Sequence, residues 1–285
     1  MRIDVCGVRG STPAPGSAFA RHGGHTSCLA LAHDGEPPTL ILDAGTGIRC
    51  VTPLLGGEPF RGTILLGHLH WDHTQGLPFF AGGDRPDAEI GVLLPEQGDA
   101  LDVLSRLMSP PFFPVDPTGL RGEWRFSGLE AGRHLIEGFD VLALDIPHKG
   151  GRTFGYRIDD GTGSVAYLSD HGPIALGAGP DGWGPYHEHA LALAEGVDVL
   201  VHDAQYTAEE LPGRAGFGHS AAGYPVELGR RAGARRIMLF HHDPSRTDAE
   251  LDAMVAGFAA APMPVIAAAE ETVIQLVSPL VSPSG

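Results

Sequence analysis

Residues 63–76 read TILLGHLHWDHTQG, and this stretch governs both the fold and the chemistry. Thr63 to Leu66 is a short apolar run closed by Gly67, the pattern of a buried strand that ends at a turn. Just past it, His68, His70, Asp72 and His73 put four metal-ligand side chains within six residues. Side chains two apart on an extended segment point the same way. His68 and His70 can therefore converge on one ion, while Asp72 and His73, beyond the strand end, can turn toward a second. A single histidine on an apolar strand is ordinarily a satisfied core residue, but core packing does not explain four ligand types at this spacing.

Outward from this strand the chain keeps the same rhythm of short apolar runs and Gly-rich turns. Arg2 to Val5, Cys28 to Ala32, Thr39 to Leu42, Ile90 to Leu94, Val141 to Leu144, Phe154 to Ile158, Val165 to Leu168, Val197 to His202 and Ile237 to Phe240 read as further strands. Helical periodicity is sparser. Leu101, Leu104 and Leu107 recur at helical spacing, as do Leu251, Met254, Val255 and Phe258 behind a Thr247 to Glu250 capping box; His187 to Glu195 and Ser220 to Ala232 are further helix candidates. No linker, low-complexity tail or short-period repeat divides the chain, which reads as one α/β domain over residues 1–285 with strand-rich halves of similar size. Three Gly/Pro-rich segments break the rhythm: 76–83, 109–119 with Phe112 and Phe113, and 171–186 with Trp183. Loops of this length either shape a site or simply connect elements at the surface.

Composition narrows the function. The 285 residues carry 35 Asp plus Glu against 19 Lys plus Arg, a net charge of −16, and Lys149 is the single lysine. Long nucleic acids are gripped by clustered cations that release counterions, so this balance argues against such a partner. The 15 histidines are the other anomaly, because neutral imidazole is the commonest metal ligand. No stretch approaches the roughly 20 apolar residues that span a bilayer, and Met1 to Gly10 lacks the apolar region of a signal peptide; a cytoplasmic protein without a membrane partner is the expectation. Cys6, Cys28 and Cys50 show no CxxC spacing and read as buried free thiols in a reducing compartment.

The HxHxDH pattern at 68–73 resembles the signature of the metallo-β-lactamase superfamily, and the other motifs of that family follow in order. Asp43 in LDAGTG resembles the carboxylate that orients a ligand from behind. His148 in IPHKGGRTFGYRI, Asp170 in YLSDHG and His241 in LFHHDP resemble the third-motif histidine, the carboxylate that bridges two metals and the final histidine ligand. The resemblance implies a four-layer αββα sandwich with the metal site at one edge of its two sheets. It also implies two divalent ions, one on His68, His70, His148 and Asp170 and the other on Asp72, His73, Asp170 and His241. Zinc is the foremost candidate, with manganese or iron as alternatives, since the same N/O ligand set accepts all three.

Two positions indicate the branch. His219 in GFGHSAAG resembles the histidine that ribonuclease Z-like and cyclic phosphodiesterases hold beside the scissile phosphate, and Asp203 in VLVHDAQYT resembles the acid that supports it. Oxygen-reducing di-iron relatives carry Glu where this chain has His70, which favours a hydrolytic site. The implied activity is dinuclear metal-dependent hydrolysis of a small or cyclic phosphodiester. A metal-bridging hydroxide attacks, His219 assists the leaving group, and Asp43, Asp72 and Asp203 act in support. Ribonuclease Z proper carries a Gly-rich arm between its third and fourth motifs. Here a single strand pair separates His148 from Asp170, which makes RNA 3′-processing the weaker alternative. Hydrolysis of a lactone, ester or thioester stays open, since such relatives use a tyrosine and Tyr186, Tyr206 and Tyr224 are available. A homodimer is expected by family analogy. Ser11 and Thr26 could hydrogen-bond near the site, although a plain turn or strand role is the favoured reading of both, and His242 or Asp243 could support a ligand. His22, His25, His171, His187 and His189 read as mostly exposed.

Overall fold

The computed structural model describes residues 1–276, so positions 277–285 of the expected 1–285 domain lie outside the described residues. One sheet holds β1 (Arg2–Gly7), β2 (Cys28–Ala32), β3 (Leu40–Leu42), β4 (Arg61–Leu65), β5 (Glu89–Pro95), β6 (Glu123–Leu129) and β14 (Val273–Gln275), in the order β14-β1-β2-β3-β4-β5-β6. The other holds β7 (Gly132–Ile136), β8 (Phe139–Asp145), β9 (Phe154–Asp159), β10 (Ser164–Leu168), β11 (Val199–Asp203), β12 (Ile237–Phe240) and β13 (Val265–Ala267), in the order β13-β12-β11-β10-β9-β8-β7. In each sheet one half is antiparallel and the other parallel: β3 to β6 run together in the first, β10 to β13 in the second.

Strand alternation builds the layers. Leu29 and Leu31 of β2 and Leu40 and Leu42 of β3 point between the sheets, where they meet Val165 and Tyr167 of β10, Val199 and Val201 of β11 and Met238 and Phe240 of β12. The intervening residues point outward and are covered by helices, because both faces of a parallel half-sheet must be buried. Cys28, Ala30, Ile41 and Ile64 pack under Ile48, Val51 and Leu55 of a 3₁₀ stretch, Thr46–Leu55. Ala166, Leu168, Leu200 and Ile237 pack under α3 (Glu188–Ala194) and α5 (Gly223–Ala232) through Leu193, Tyr224 and Leu228. The order is helix, sheet, sheet, helix, as expected. The other α-helices among the described residues are α1 (Trp71–Thr74), α2 (Ala100–Ser105), α4 (Leu211–Arg214) and α6 (Asp248–Ala256), the last closing the C-terminal side behind the expected Thr247/Glu250 capping box.

The ten strands expected from the sequence are all present with small shifts at their ends. The four not foreseen, β6, β7, β13 and β14, are the four sheet edges. An edge strand buries less of each face, so its apolar pattern is weak: β6 and β7 alternate half-buried with exposed residues, and β13 and β14 are three residues long. Helix α5 begins later than the sequence suggests. Ser220 does not cap it; its hydroxyl donates to the carbonyl of His171. Cys6 and Cys28 are buried and Cys50 half-buried, all free. No helix among the described residues is long and apolar enough to cross a membrane.

Candidate metal centre

Parallel strands release their carboxyl ends toward one edge of the sandwich, and the candidate residues sit there. Asp43 follows β3, His68 and His70 follow β4, and Asp72 and His73 lie on the single turn of α1. His148 follows β8, Asp170 follows β10, Asp203 ends β11 and His241 follows β12. Asp43 and His241 both take positive φ, 60° and 55°, a backbone region that costs non-glycine residues energy and often marks functional sites. Gly10 lies flush against the His241 ring: a Cβ there would stand 2.3 Å from Cε1.

These residues gather into two overlapping four-residue sets, and Asp203 and His241 form a smaller third with His219. His68, His70, His148 and Asp170 each offer a ligand atom within 4.8 Å of the others, and so do Asp72, His73, Asp170 and His241. Asp170 divides its two oxygens between them. Oδ2 lies 3.6 Å from His68 Nε2 and 3.5 Å from His148 Nε2, while Oδ1 lies 2.9 Å from His73 Nε2 and 3.2 Å from His241 Nε2. This is the arrangement of a carboxylate able to bridge two cations.

Hydrogen bonds behind the rings set their tautomers. His73 Nδ1 donates to Asp43 Oδ2 at 2.7 Å, His148 Nδ1 to the Gly218 carbonyl at 2.7 Å, and His241 Nδ1 to Gln205 Oε1 at 3.2 Å. Their Nε2 atoms therefore present lone pairs to the cluster when the rings are neutral. His73 Nε2 stands 3.4 Å from His241 Nε2 and 3.3 Å from Asp72 Oδ2. Both ring nitrogens of His68 and Oδ1 of Asp170 are buried with no partner in hydrogen-bonding geometry. Buried acceptors facing acceptors are costly unless a cation lies among them, so the donor set fits divalent metal ions.

Electrostatics separate the two sets. Burial, reinforced by neighbouring histidines, holds His68 well below the ordinary imidazole range; burial likewise lowers His148 and His70 against the pull of Asp170. The shift at all three favours the neutral ring, the form that ligates a metal. At His73 and His241 burial also favours the neutral ring. It is outweighed by Asp170 and Asp72, joined by Asp43 at His73 and Asp203 at His241, and both pKa values rise. Asp72 and Asp170 are held well below the usual carboxylate range because the surrounding histidines outweigh the cost of burial.

His219 stands beside both sets, its ring centroid 5.2 Å from that of His148 and 4.9 Å from that of His241. Nδ1 donates to Asp203 Oδ2 at 2.8 Å, and Asp203 is itself held by the backbone N–H groups of His171, Gln205 and Ser220. The opposite ring nitrogen makes no hydrogen bond to the described residues.

The β-lactamase superfamily domain matches residues 39–242, which span every candidate ligand from Asp43 to His241. The chain belongs to this superfamily. The ribonuclease Z of Natronomonas pharaonis is 22% identical over 92% of this chain and 95% of its own length. Among solved structures, a diphosphatase from the PhnP family superposes with a TM-score of 0.67 at 17% identity, over 98% of this chain and 99% of that one. Zn(2+)-bound PqqB from Methylobacterium extorquens superposes with a TM-score of 0.70 at 17% identity, over 97% and 100%. Superfamily membership, the relatives and the ligand cluster identify a metal-dependent hydrolase.

Several peripheral expectations for this superfamily member are corrected by its structure. None of His22, His25, His171, His187 and His189 is fully exposed, and His171 is wholly buried. It sits in a chain of three imidazoles in which His187 Nε2 donates to His171 Nε2, His171 Nδ1 to His202 Nε2, and His202 Nδ1 to the Asp203 carbonyl. His242 donates to the Ala268 carbonyl and Asp243 accepts from Ser245 and Arg214, so neither reaches the ligand set. Ser11 does reach it, but through its backbone N–H, which donates to Asp72 Oδ2 at 2.6 Å. Thr26 binds Thr46 and Gln75 instead. Of the three tyrosines, Tyr224 donates to the Pro185 carbonyl and Tyr186 to Asp181; Tyr206 packs edge-on against His219. Trp183 packs with Tyr206, Leu211 and Ala221 and anchors its loop. Gln205 was not foreseen, although it lies two residues beyond Asp203.

Proposed function

We propose that this chain is a two-metal phosphodiesterase acting on a small or cyclic phosphodiester. The observation that carries the reading is the Asp203–His219 pair standing at the edge of two ligand sets that share Asp170. His68, His70, His148 and Asp170 would hold one divalent ion, and Asp72, His73, Asp170 and His241 the other, zinc foremost. Such ions, when bound, lower the pKa of coordinated water and neutralise charge on phosphoryl oxygens. Asp203 accepts the His219 Nδ1–H and so fixes the ring's orientation, leaving the opposite ring nitrogen placed to deliver a proton to the departing oxygen. Asp43 keeps His73 in the ligating tautomer. The ribonuclease Z and diphosphatase relatives support phosphorus over carbon as the reacting centre. A small substrate is supported by the net charge of −16 and by the plain β9–β10 hairpin between His148 and Asp170.

The test is hydrolysis of an aryl phosphodiester, a cyclic nucleotide and a lactone panel by the zinc-loaded wild type and His219→Ala. The reading expects phosphodiester turnover to exceed lactone turnover and His219→Ala to lose on the order of 10²–10⁴ in kcat with its metals retained. Undiminished turnover in His219→Ala removes the assigned role. A preference for lactones points instead to acyl hydrolysis, for which Tyr206 is the one tyrosine of the three beside His219.

A further inference from the structure

Gln205 is 4% exposed and carries no charge, yet both ends of its amide face the metal cluster's supports. Oε1 accepts from His241 Nδ1 at 3.2 Å, and Nε2 donates to Ser11 Oγ at 3.3 Å. The Ser11 backbone N–H in turn donates to Asp72 Oδ2, so a single amide connects the backs of two ligands of one set. Ser11 itself adopts a φ of 63°, a left-handed conformation that needs outside support. The Gln205 backbone is pinned on both sides: its N–H donates to Asp203 Oδ1 at 3.0 Å and its carbonyl accepts from Arg246 Nη2 at 3.3 Å. The amide orientation follows from chemistry. His241 can turn a lone pair on Nε2 toward Asp72 and Asp170 only if Nδ1 carries the hydrogen, and that hydrogen needs the oxygen end of Gln205.

We propose that Gln205 is a positioning residue for the second metal position, fixing the His241 tautomer and, through Ser11, the placement of Asp72. The inference rests on the two-metal reading above. Among the described residues no such amide reaches the first set, where the Gly218 carbonyl orients His148, so the two positions differ in their dependence on Gln205.

Zinc binding separates the alternatives. Wild type, Gln205→Met and Gln205→Glu are stripped of metal, their thermal unfolding is compared, and each is titrated with zinc against a chromophoric chelator. Met matches the volume of Gln without an acceptor, whereas Glu restores the acceptor for His241 Nδ1. The expected result is two zinc sites in wild type and an unchanged first site in Gln205→Met. The second site should weaken 10–100-fold in Gln205→Met and recover most of that loss in Gln205→Glu. Equal second-site affinity in Gln205→Met and wild type overturns the inference. So does equal weakening of both sites, and so does a Glu variant as weak as Met. A wild type that takes up fewer than two zinc ions removes the two-metal reading itself, and the inference with it.

Discussion

Replacing Asp43 by Asn separates folding from metal binding. Asp43 is wholly buried and accepts three hydrogen bonds: His73 Nδ1–H and Tyr167 O–H on Oδ2, and the Gly67 N–H on Oδ1, each at 2.7 Å. In Asp43→Asn the amide oxygen keeps the Gly67 N–H, and the amide NH₂ takes the place of Oδ2. Its two hydrogens can be satisfied by the Tyr167 oxygen and by His73 Nδ1, but only if His73 moves its own hydrogen to Nε2. The Gly67 N–H and the His73 ring keep partners and Tyr167 turns from donor to acceptor, its own hydrogen losing the carboxylate, so the fold is expected to survive with reduced stability. Three charge-assisted bonds become neutral ones, at a cost of about 1 kcal/mol each and about 3 kcal/mol in all. The His73 tautomer, however, is reversed. Nε2–H now points at Asp170 Oδ1, where the ligating lone pair should be. Restoring the lone pair on binding places an N–H against an NH₂, which weakens the second metal position by on the order of 10–100-fold, about 1.4–2.8 kcal/mol. Chelator competition with zinc measures the affinity, and nitrogen-15 chemical shifts of His73 in the metal-free protein, read at a pH high enough for its raised pKa to leave the ring neutral, report the tautomer. A variant with wild-type zinc affinity at both positions, or with Nδ1 still protonated, would refute the reasoning.

Other perturbations test different joints of the structure. Gly10→Ala places a Cβ 2.3 Å from the His241 ring, so the ring must move; at least a 10-fold loss of second-site zinc affinity with a near-native far-ultraviolet spectrum is expected, and unchanged zinc titration would contradict the contact. Arg9 is wholly buried and donates to the carbonyls of Gly23, Asp243 and Arg246, joining three loops behind His241. Arg9→Met leaves those acceptors unpaired, and a stability loss of about 3–5 kcal/mol in urea unfolding is expected. His242 is buried and held down to about 3 by burial, against 6.5 for an unrestrained imidazole. The unfolded chain then binds the extra proton throughout that window. Its contribution to stability is complete above pH 6.5 and is lost as pH falls, by up to about 1.4 kcal/mol per pH unit, until the folded value is reached. Denaturation of metal-free wild type and His242→Asn at pH 7 and pH 5 isolates this effect; parallel pH profiles for the two proteins would exclude it.

What the sequence disclosed follows from the range of the forces involved. Interior strands such as β2 and β10 bury both faces, so their apolar runs stand out; the edge strands β6, β7, β13 and β14 bury less and leave no comparable trace. The ligands were legible because His68, His70, Asp72 and His73 are clustered by local spacing, and because Asp43, His148, Asp170 and His241 each follow an apolar run. Gln205 and Gly10 were not. Gln205 acts on His241 from 36 positions away and on Ser11 from 194, and Gly10 meets His241 from the opposite end of the chain, so neither role has a local signature. His171 read as a loop residue beside Asp170, and only the packing of His187, His202 and Tyr224 around it explains its burial.

The most direct measurement is a crystal structure of the zinc-loaded protein with anomalous data collected on both sides of the zinc edge. The two-metal reading requires two peaks per chain, one among His68, His70, His148 and Asp170 and one among Asp72, His73, Asp170 and His241, with Asp170 touching both. A single peak, or peaks that leave His241 and Asp72 unligated, would contradict it.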